Sequence, residues 1–436
     1  MWVLAVLAAG IGFSALPLRP ADAAEATLAS TTYLRSYQRN DPAGGKDRFF
    51  PLTEYLSGDA GGLAGDLPLA FHFAGWGRID LGTKPGDGRT GGDLDLAYLE
   101  YRAPEGNGEA RLGRFFLAEG VASDVIDGVF VKGRTGPGLG VALFGGKPVE
   151  RSIGGYETGR SIYGGRLFFA APGFAEIGAS LLQEKGDFPK VDGRIEDRKL
   201  AGGDLWLRPG GPIEFTGQAS YNLATKGFAH QRYAVRLMPG AGLDVMAGYE
   251  AYGYKDLFHG SLNPAFHVAV AGFDNADKVK VTFVTLDWEF VKGLALEGSL
   301  KSMKHSAADP GTTSRGEAGI RWSWNEKKDA VGVSIASTSG DRRENEYVEG
   351  RLFGTWSPGD LRFALDLLAQ RYREAFPDHP GRKDGQQAVA SAGYQLRPDV
   401  RLSGDLTYTK SPALKDDYAG TIKLAANFGV GTGGGK

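Results

Sequence analysis

Cysteine is absent from this chain. Without a thiol there can be no disulfide, zinc–thiolate centre, c-type haem attachment or lipid-modified cysteine. Methionine occurs 4 times in 436 residues, and the 6 histidines are scattered without close metal-ligand spacing. A charge excess of either sign is also lacking: 50 Lys and Arg stand against 52 Asp and Glu. No global field draws the chain to nucleic acid, and no basic stripe appears. After Ala23 no apolar run approaches about 18 residues, so the remainder holds no transmembrane helix.

The long apolar run that does occur, Trp2 to Leu18, is broken by glycines and ends at Arg19-Pro20, followed by Ala21-Asp22-Ala23. An A-x-A site after such a run predicts a secretory signal peptide over residues 1–23, although the usual basic residue near Met1 is missing.

What the chain has instead is glycine, at 67 residues about double the usual share, and alternation. In "GGPIEFTGQASYNLATKG", Gly210 to Gly227, Ile213, Phe215, Gly217, Ala219, Tyr221 and Leu223 fall on one face of an extended chain. Glu214, Thr216, Gln218, Ser220 and Asn222 fall on the other. The strand runs for about eleven residues, roughly twice the usual length. Similar stretches recur along most of the chain and predict about 22 strands, with 20 as the lower count.

Pro-Gly and related turns around Pro172, Pro209, Pro239, Pro358 and Pro398 join consecutive strands tightly. The opposite ends are joined by longer polar segments such as "KGDFPKVDGRIED" and "REAFPDHPGRKDG". That is a meander with two unlike rims. A propeller would fit four short strands into the length that holds two here, and a sandwich of this size would need several domains, for which no linker composition exists. The remaining architecture is a closed transmembrane antiparallel β-barrel over residues 24–428, with short periplasmic turns, longer extracellular loops and a flexible Gly-rich tail at 429–436. Trp76, Tyr98, Tyr221, Trp288, Trp322, Trp324, Trp356, Tyr394, Tyr408, Tyr418 and Phe428 lie near strand ends, where interfacial aromatic girdles belong.

The final strand "YAGTIKLAANF" directs Tyr418, Gly420, Ile422, Leu424, Ala426 and Phe428 to one face. It resembles the terminal aromatic assembly signal of Gram-negative outer-membrane porin-type barrels, except that it continues through "GVGTGGGK". The segment "EARLGRFFLAEGVASDVIDGVFVKG" resembles the strand, Gly-Arg and loop arrangement that porin-like and alginate-export-type barrels follow with a loop folded into the lumen. This resemblance implies that Arg111 and Arg114 face the pore and that Phe116 to Asp127 form a constricting loop. "LDLAYLEYRAPEG" and "GGDLWLRPGGPIEFTGQASYN" are similar to channel proteins of metal-respiring bacteria, some of which sheathe multihaem cytochromes. The family resemblance further implies an outer-membrane location, contact with outer-membrane lipid and with the barrel assembly machinery, and, for the sheath group, a cytochrome partner in the lumen.

On the faces assigned inward lie Arg78, Asp80, Arg111, Arg166, Glu214, Arg232, Arg236, Glu297, Lys301, Arg321, Arg362, Asp366, Arg401, Asp405 and Lys423. With Arg114 from the porin resemblance, these are the expected channel-lining residues. Basic groups outnumber acids in the set, which predicts a weak anion preference; the alternative is that the charges pair across strands. His259, Ser261, Asn263 and His267 faintly resemble an outer-membrane phospholipase site, and His259, His267, Asp256 and Asp274 could approach a metal. Both readings rank far below a polar loop. "GVALFGGKPVE" lacks the Lys-Ser/Thr of a phosphate loop and alternates like a strand. The leading expectation is a porin-like channel for small solutes without cofactor or metal, the alternative a sheath for an electron-carrying cytochrome, and an enzyme a distant third.

Overall fold

The computed structural model describes residues 25–40, 46–63, 67–82, 89–149, 161–185, 197–258, 277–307, 311–375, 381–412 and 416–430. The expected signal peptide, the loop with His259 to Asp274, and residues 431–436 of the tail lie outside them.

The chain is almost wholly strand: β1 (Ala26–Asn40), β2 (Lys46–Phe49), β3 (Pro51–Ala60), β4 (Leu69–Asp80), β5 (Thr90–Arg102), β6 (Gly108–Glu119), β7 (Ala122–Arg134) and β8 (Leu139–Pro148). There follow β9 (Ser161–Ala171), β10 (Ala175–Lys185), β11 (Arg198–Leu207), β12 (Ile213–Asn222), β13 (Gly227–Gly240) and β14 (Leu243–Gly253). After a short helix, α1 (Tyr254–Phe258), come β15 (Lys278–Val291), β16 (Leu294–His305), β17 (Thr312–Trp324), β18 (Asp329–Gly340) and β19 (Tyr347–Trp356). The last four are β20 (Leu361–Tyr372), β21 (Asp384–Arg397), β22 (Val400–Lys410) and β23 (Asp417–Val430). All 23 belong to one sheet, and β1 pairs antiparallel with β23 from Ala26↔Val430 to Ser36↔Gly420. The sheet is therefore a closed antiparallel barrel of 22 strands, with β2 as an extra strand.

Two differences from the sequence reading have local causes. The run Asp47 to Ser57 divides at Phe50, and β2 turns back on the end of β1, pairing Tyr37 with Phe49, whose rings stack at 5.0 Å. β23 continues to Val430, so the barrel takes the first residues of the supposed tail.

By packing the chain divides into two units. The first, Met1–Tyr101, Trp322–Val333 and Glu349–Lys436, contains the seam. One outward row crosses it: Leu361↔Tyr394, Tyr394↔Leu402, Leu402↔Leu424. These four are 42%, 46%, 41% and 41% exposed, the condition of side chains that face hydrocarbon. The row then reaches Thr32 and Glu54, where the buried carboxylate accepts hydrogen bonds from Ser30 Oγ at 2.5 Å and from the Thr32 hydroxyl. A carboxylate on a lipid-side face is costly, and the two hydroxyls satisfy it. Trp76 and Tyr98 are the exceptions to the aromatic expectation. Trp76 shares the face of Arg78, and Tyr98 pairs with and stacks on His72 on that same inner face, while Phe71, Phe73 and Leu99 take the outer one.

The second unit, Arg102–Arg321 and Ser334–Val348, is a meander from β6 to β16 in which every neighbour pairs antiparallel. Leu143, Leu167, Leu181, Leu205 and Leu300 point outward and are 58%, 58%, 61%, 40% and 65% exposed. In β12, Gln218 pairs with Asp204 and Arg232 on the inner face, and Ala219 pairs with Gly203 and Gln231 on the outer. Arg in place of Ala219 should block folding into lipid, at about 2–4 kcal/mol near the midplane, whereas Arg in place of Gln218 should be tolerated. Heat-modifiable mobility on gels reads this; equal behaviour of the two variants would contradict the facing.

Candidate functional site

The inner face of the second unit is not an open wall. β7 pairs in register with β8 as far as Ile126↔Pro148, with one more bond from the Val149 amide to the Val125 carbonyl at 2.8 Å, and beyond that level the β6–β7 hairpin leaves the sheet. It leaves across a glycine line, Gly113↔Gly128↔Gly146. Gly113 sits at φ +126°, and a Cβ at Gly128 would lie 2.2 Å from the Gly145 carbonyl oxygen. Only glycine permits both. Past the bend, Phe115, Leu117 and Ile126 are 0%, 1% and 0% exposed, whereas Phe116, on the reverse side, is 48% exposed.

The hairpin's tip, Gly120-Val121, docks four strands away. The Val121 amide donates to Ser180 Oγ on β10 at 3.1 Å, and a Cβ built at Gly202 on β11 would lie 2.3 Å from Val121 Cγ1. Charge pins the same end. Arg166 on β9 donates to Glu119 at 2.9 Å and pairs with Glu176 at 2.7 Å and with Asp204. Glu119 also takes Lys132 Nζ at 2.9 Å. Arg198 donates to Asp124 at 3.1 Å and to the fully buried Glu184 at 3.2 Å. Buried charges persist only when matched this way. Removing one partner would leave the others uncompensated.

The expectation of a loop over Phe116 to Asp127 is thus corrected. These residues are strand almost throughout, joined at Gly120-Val121, and what folds inward is the end of a hairpin. Arg114, just past the bend, lies on the face of Leu112 and Phe116, the other face from Arg111, and makes a bidentate pair with Asp127 at 2.7 and 2.8 Å. The other expected residues fall on inner-face positions. Arg166, Glu214, Arg232, Arg236, Glu297 and Lys301 are paired in register with one another's neighbours on that face, Arg111 faces Phe130, and Arg321 reaches Glu297 at 2.6 Å. In the first unit Arg78, Arg362, Asp366, Arg401, Asp405 and Lys423 share the inner face. Asp80, on the same parity, serves the rim by accepting the amides of Phe50 at 3.1 Å and Gly82 at 2.8 Å.

Pairing consumes most of this charge. Arg236 meets Asp244 with Nε to Oδ1 at 2.9 Å, Arg315 meets Glu317 at 3.1 Å, and Arg111 meets Glu109. His230 bridges Gln218 and Glu250, each at 3.0 Å. Sequence reasoning missed Arg351, which pairs with Asp366 at 2.9 Å, and missed Glu119, Asp124, Glu176, Glu184, Arg198 and Asp204. The alternation that selected Arg166 would have found those on β9–β11 and β19; Glu119 and Asp124 were hidden by reading the hairpin end as a loop. "GVALFGGKPVE" lies in β8, as its alternation indicated.

No protein-family model and no curated protein matches the chain. Among solved structures it is similar to the E. coli P pilus tip assembly intermediate PapC-PapD-PapK-PapG, with a TM-score of 0.53 at 12% identity, covering 96% of this chain and 62% of that one. It is also similar to Acinetobacter baumannii OccAB2, at 0.48 and 9% identity over 93% and 98% of the two chains, and to Pseudomonas aeruginosa OccK5 (OpdH), at 0.46 and 10% identity over 94% and 99%. At these identities the likeness concerns the fold alone.

At the loop rim, burial alone would raise the Asp277 carboxyl, but His305 at 2.5 Å, the Ala307 amide and Ser306 hold it down at about 2. Because the folded value lies below the unfolded value of about 3.9, its contribution is present above pH ~4 and is lost as pH falls toward 2. Limited proteolysis should show this rim loosening over that window, and Asp277→Asn should remove the pH dependence.

Proposed function

We propose that this chain is an outer-membrane channel that passes small polar solutes through a charged interior narrowed by the β6–β7 hairpin. The supporting observation is the hairpin itself. Its end is built to stay inside the barrel, with an apolar side that has no lipid to face, a glycine bend that lets it in, and arginines on β9 and β11 that receive its carboxylates. A barrel wall requires none of this for stability in lipid. An element that occupies lumen cross-section limits what traverses it.

The sheath reading is weaker. The docked hairpin already covers the inner face of β9–β11 that a resident protein would use. In liposome swelling, the chain should admit small neutral solutes with a sharp size limit. Replacing residues 116–125 by an Asn-Gly turn, which suits a tight hairpin, should raise that limit and increase the swelling rate several-fold. Unchanged sieving would mean that the hairpin does not set the narrow point.

A further inference from the structure

Among the described inner-face cations of the first unit that have no carboxylate in ion-pair reach are Arg362 on β20, Arg401 on β22 and Lys423 on β23. They line one recess of about 640 Å³ at the short-turn rim, together with Ser391 and Ser403. We propose that this recess is an oxyanion cradle, which takes the carboxylate or phosphate group of a small solute; the proposal rests on reading the chain as a channel.

The register builds the cradle. Arg362 stands opposite Gly393, Gly393 opposite Ser403, and Ser403 opposite Lys423, so one row crosses four strands. At its centre, glycine replaces a side chain with space. A Cβ at Gly393 would lie 2.9 Å from Arg401 Nη2 and 3.1 Å from its Nε, so the guanidinium lies over the glycine, between Arg362 and Lys423. Lys423 Nζ stands 5.2 Å from the Tyr33 ring centroid, which holds the ammonium near the wall without neutralising it. Of the acids that line the recess, Asp399 is engaged by Arg397 at 3.2 Å, which leaves Asp405 as the opposing carboxylate. The balance is positive, in contrast to the Arg166, Arg198, Arg236 and Arg351 sites, each of which is matched by acids.

Two guanidinium forks and an ammonium are the donors that planar or tetrahedral oxyanions require, and Ser391 and Ser403 add hydroxyls on the same face. The volume falls in the range of small-molecule sites. With so polar a lining, the solute is compact and charged rather than hydrophobic.

The test is current blocking in planar bilayers by acetate or inorganic phosphate added to a chloride bath, with the purified wild-type chain and with Arg362→Gln/Arg401→Gln. The wild type should be anion-selective and blocked by one of the two anions; whichever acts at lower concentration identifies the group. The double variant should need at least about tenfold more blocker, equivalent to ~1.4 kcal/mol, and its reversal potential should move toward zero. Asp405→Asn, which removes the opposing acid, should strengthen block. A double variant that conducts with unaltered block and reversal potential overturns the cradle. A wild type with no conductance would instead overturn the channel reading. Calorimetric titration of the detergent-purified chain with the same anions then decides the cradle separately: heat lost in the double variant supports it, and no heat in the wild type overturns it.

Discussion

Inside hydrocarbon no water is available to a backbone amide or carbonyl, and every strand in this protein answers to that constraint. A sheet with a free edge would leave a column of unpaired groups in lipid. Pairing of β1 with β23 from Ala26↔Val430 to Ser36↔Gly420 removes that edge. Once the sheet is closed, period-2 alternation becomes compulsory, because each strand has one face in lipid and one in the interior. The exposed leucines of β8 to β11 and the inward charges beside them are two consequences of one geometry.

The β6–β7 hairpin is the place where the constraint is lifted. Beyond the Gly113, Gly128 and Gly146 line its residues no longer touch lipid, so its two faces become one that packs on the wall and one that looks into the lumen. Phe115 and Phe116, adjacent in sequence, show the change: the first is completely buried and the second half exposed, and both are apolar. The carboxylates of Glu119 and Asp124 find arginines on β9 and β11, and the arginines find additional acids in the wall. The hairpin is held by charge at its end, by apolar contact along its buried face and by an ion pair, Arg114 with Asp127, just past its bend.

This also explains what could be read from the sequence. β12 was legible because Ile213 to Leu223 alternates cleanly, and the same rule placed Arg166, Arg232, Arg362, Arg401 and Lys423 on the inner face. The rule failed where alternation itself breaks. Phe115-Phe116 gives no period-2 signal because neither face is lipid-bound, so nothing in the sequence marks the hairpin end as strand. β2 was invisible for a different reason: its four residues continue the pattern of β3 across Phe50, and only pairing with β1 separates them. Pairing of the charges across strands was an open alternative in the sequence, but which acid each cation meets was not legible, since the partners of Arg166 come from β6, β10 and β11, which register brings together and spacing along the chain does not.

The central claim is a closed barrel that carries its own constriction, and single-channel conductance of the purified chain from residue 24 onward tests it most directly. The account predicts discrete, modest and reproducible steps from the protein folded alone. Very large or erratic openings, or failure to fold without a partner, would contradict it.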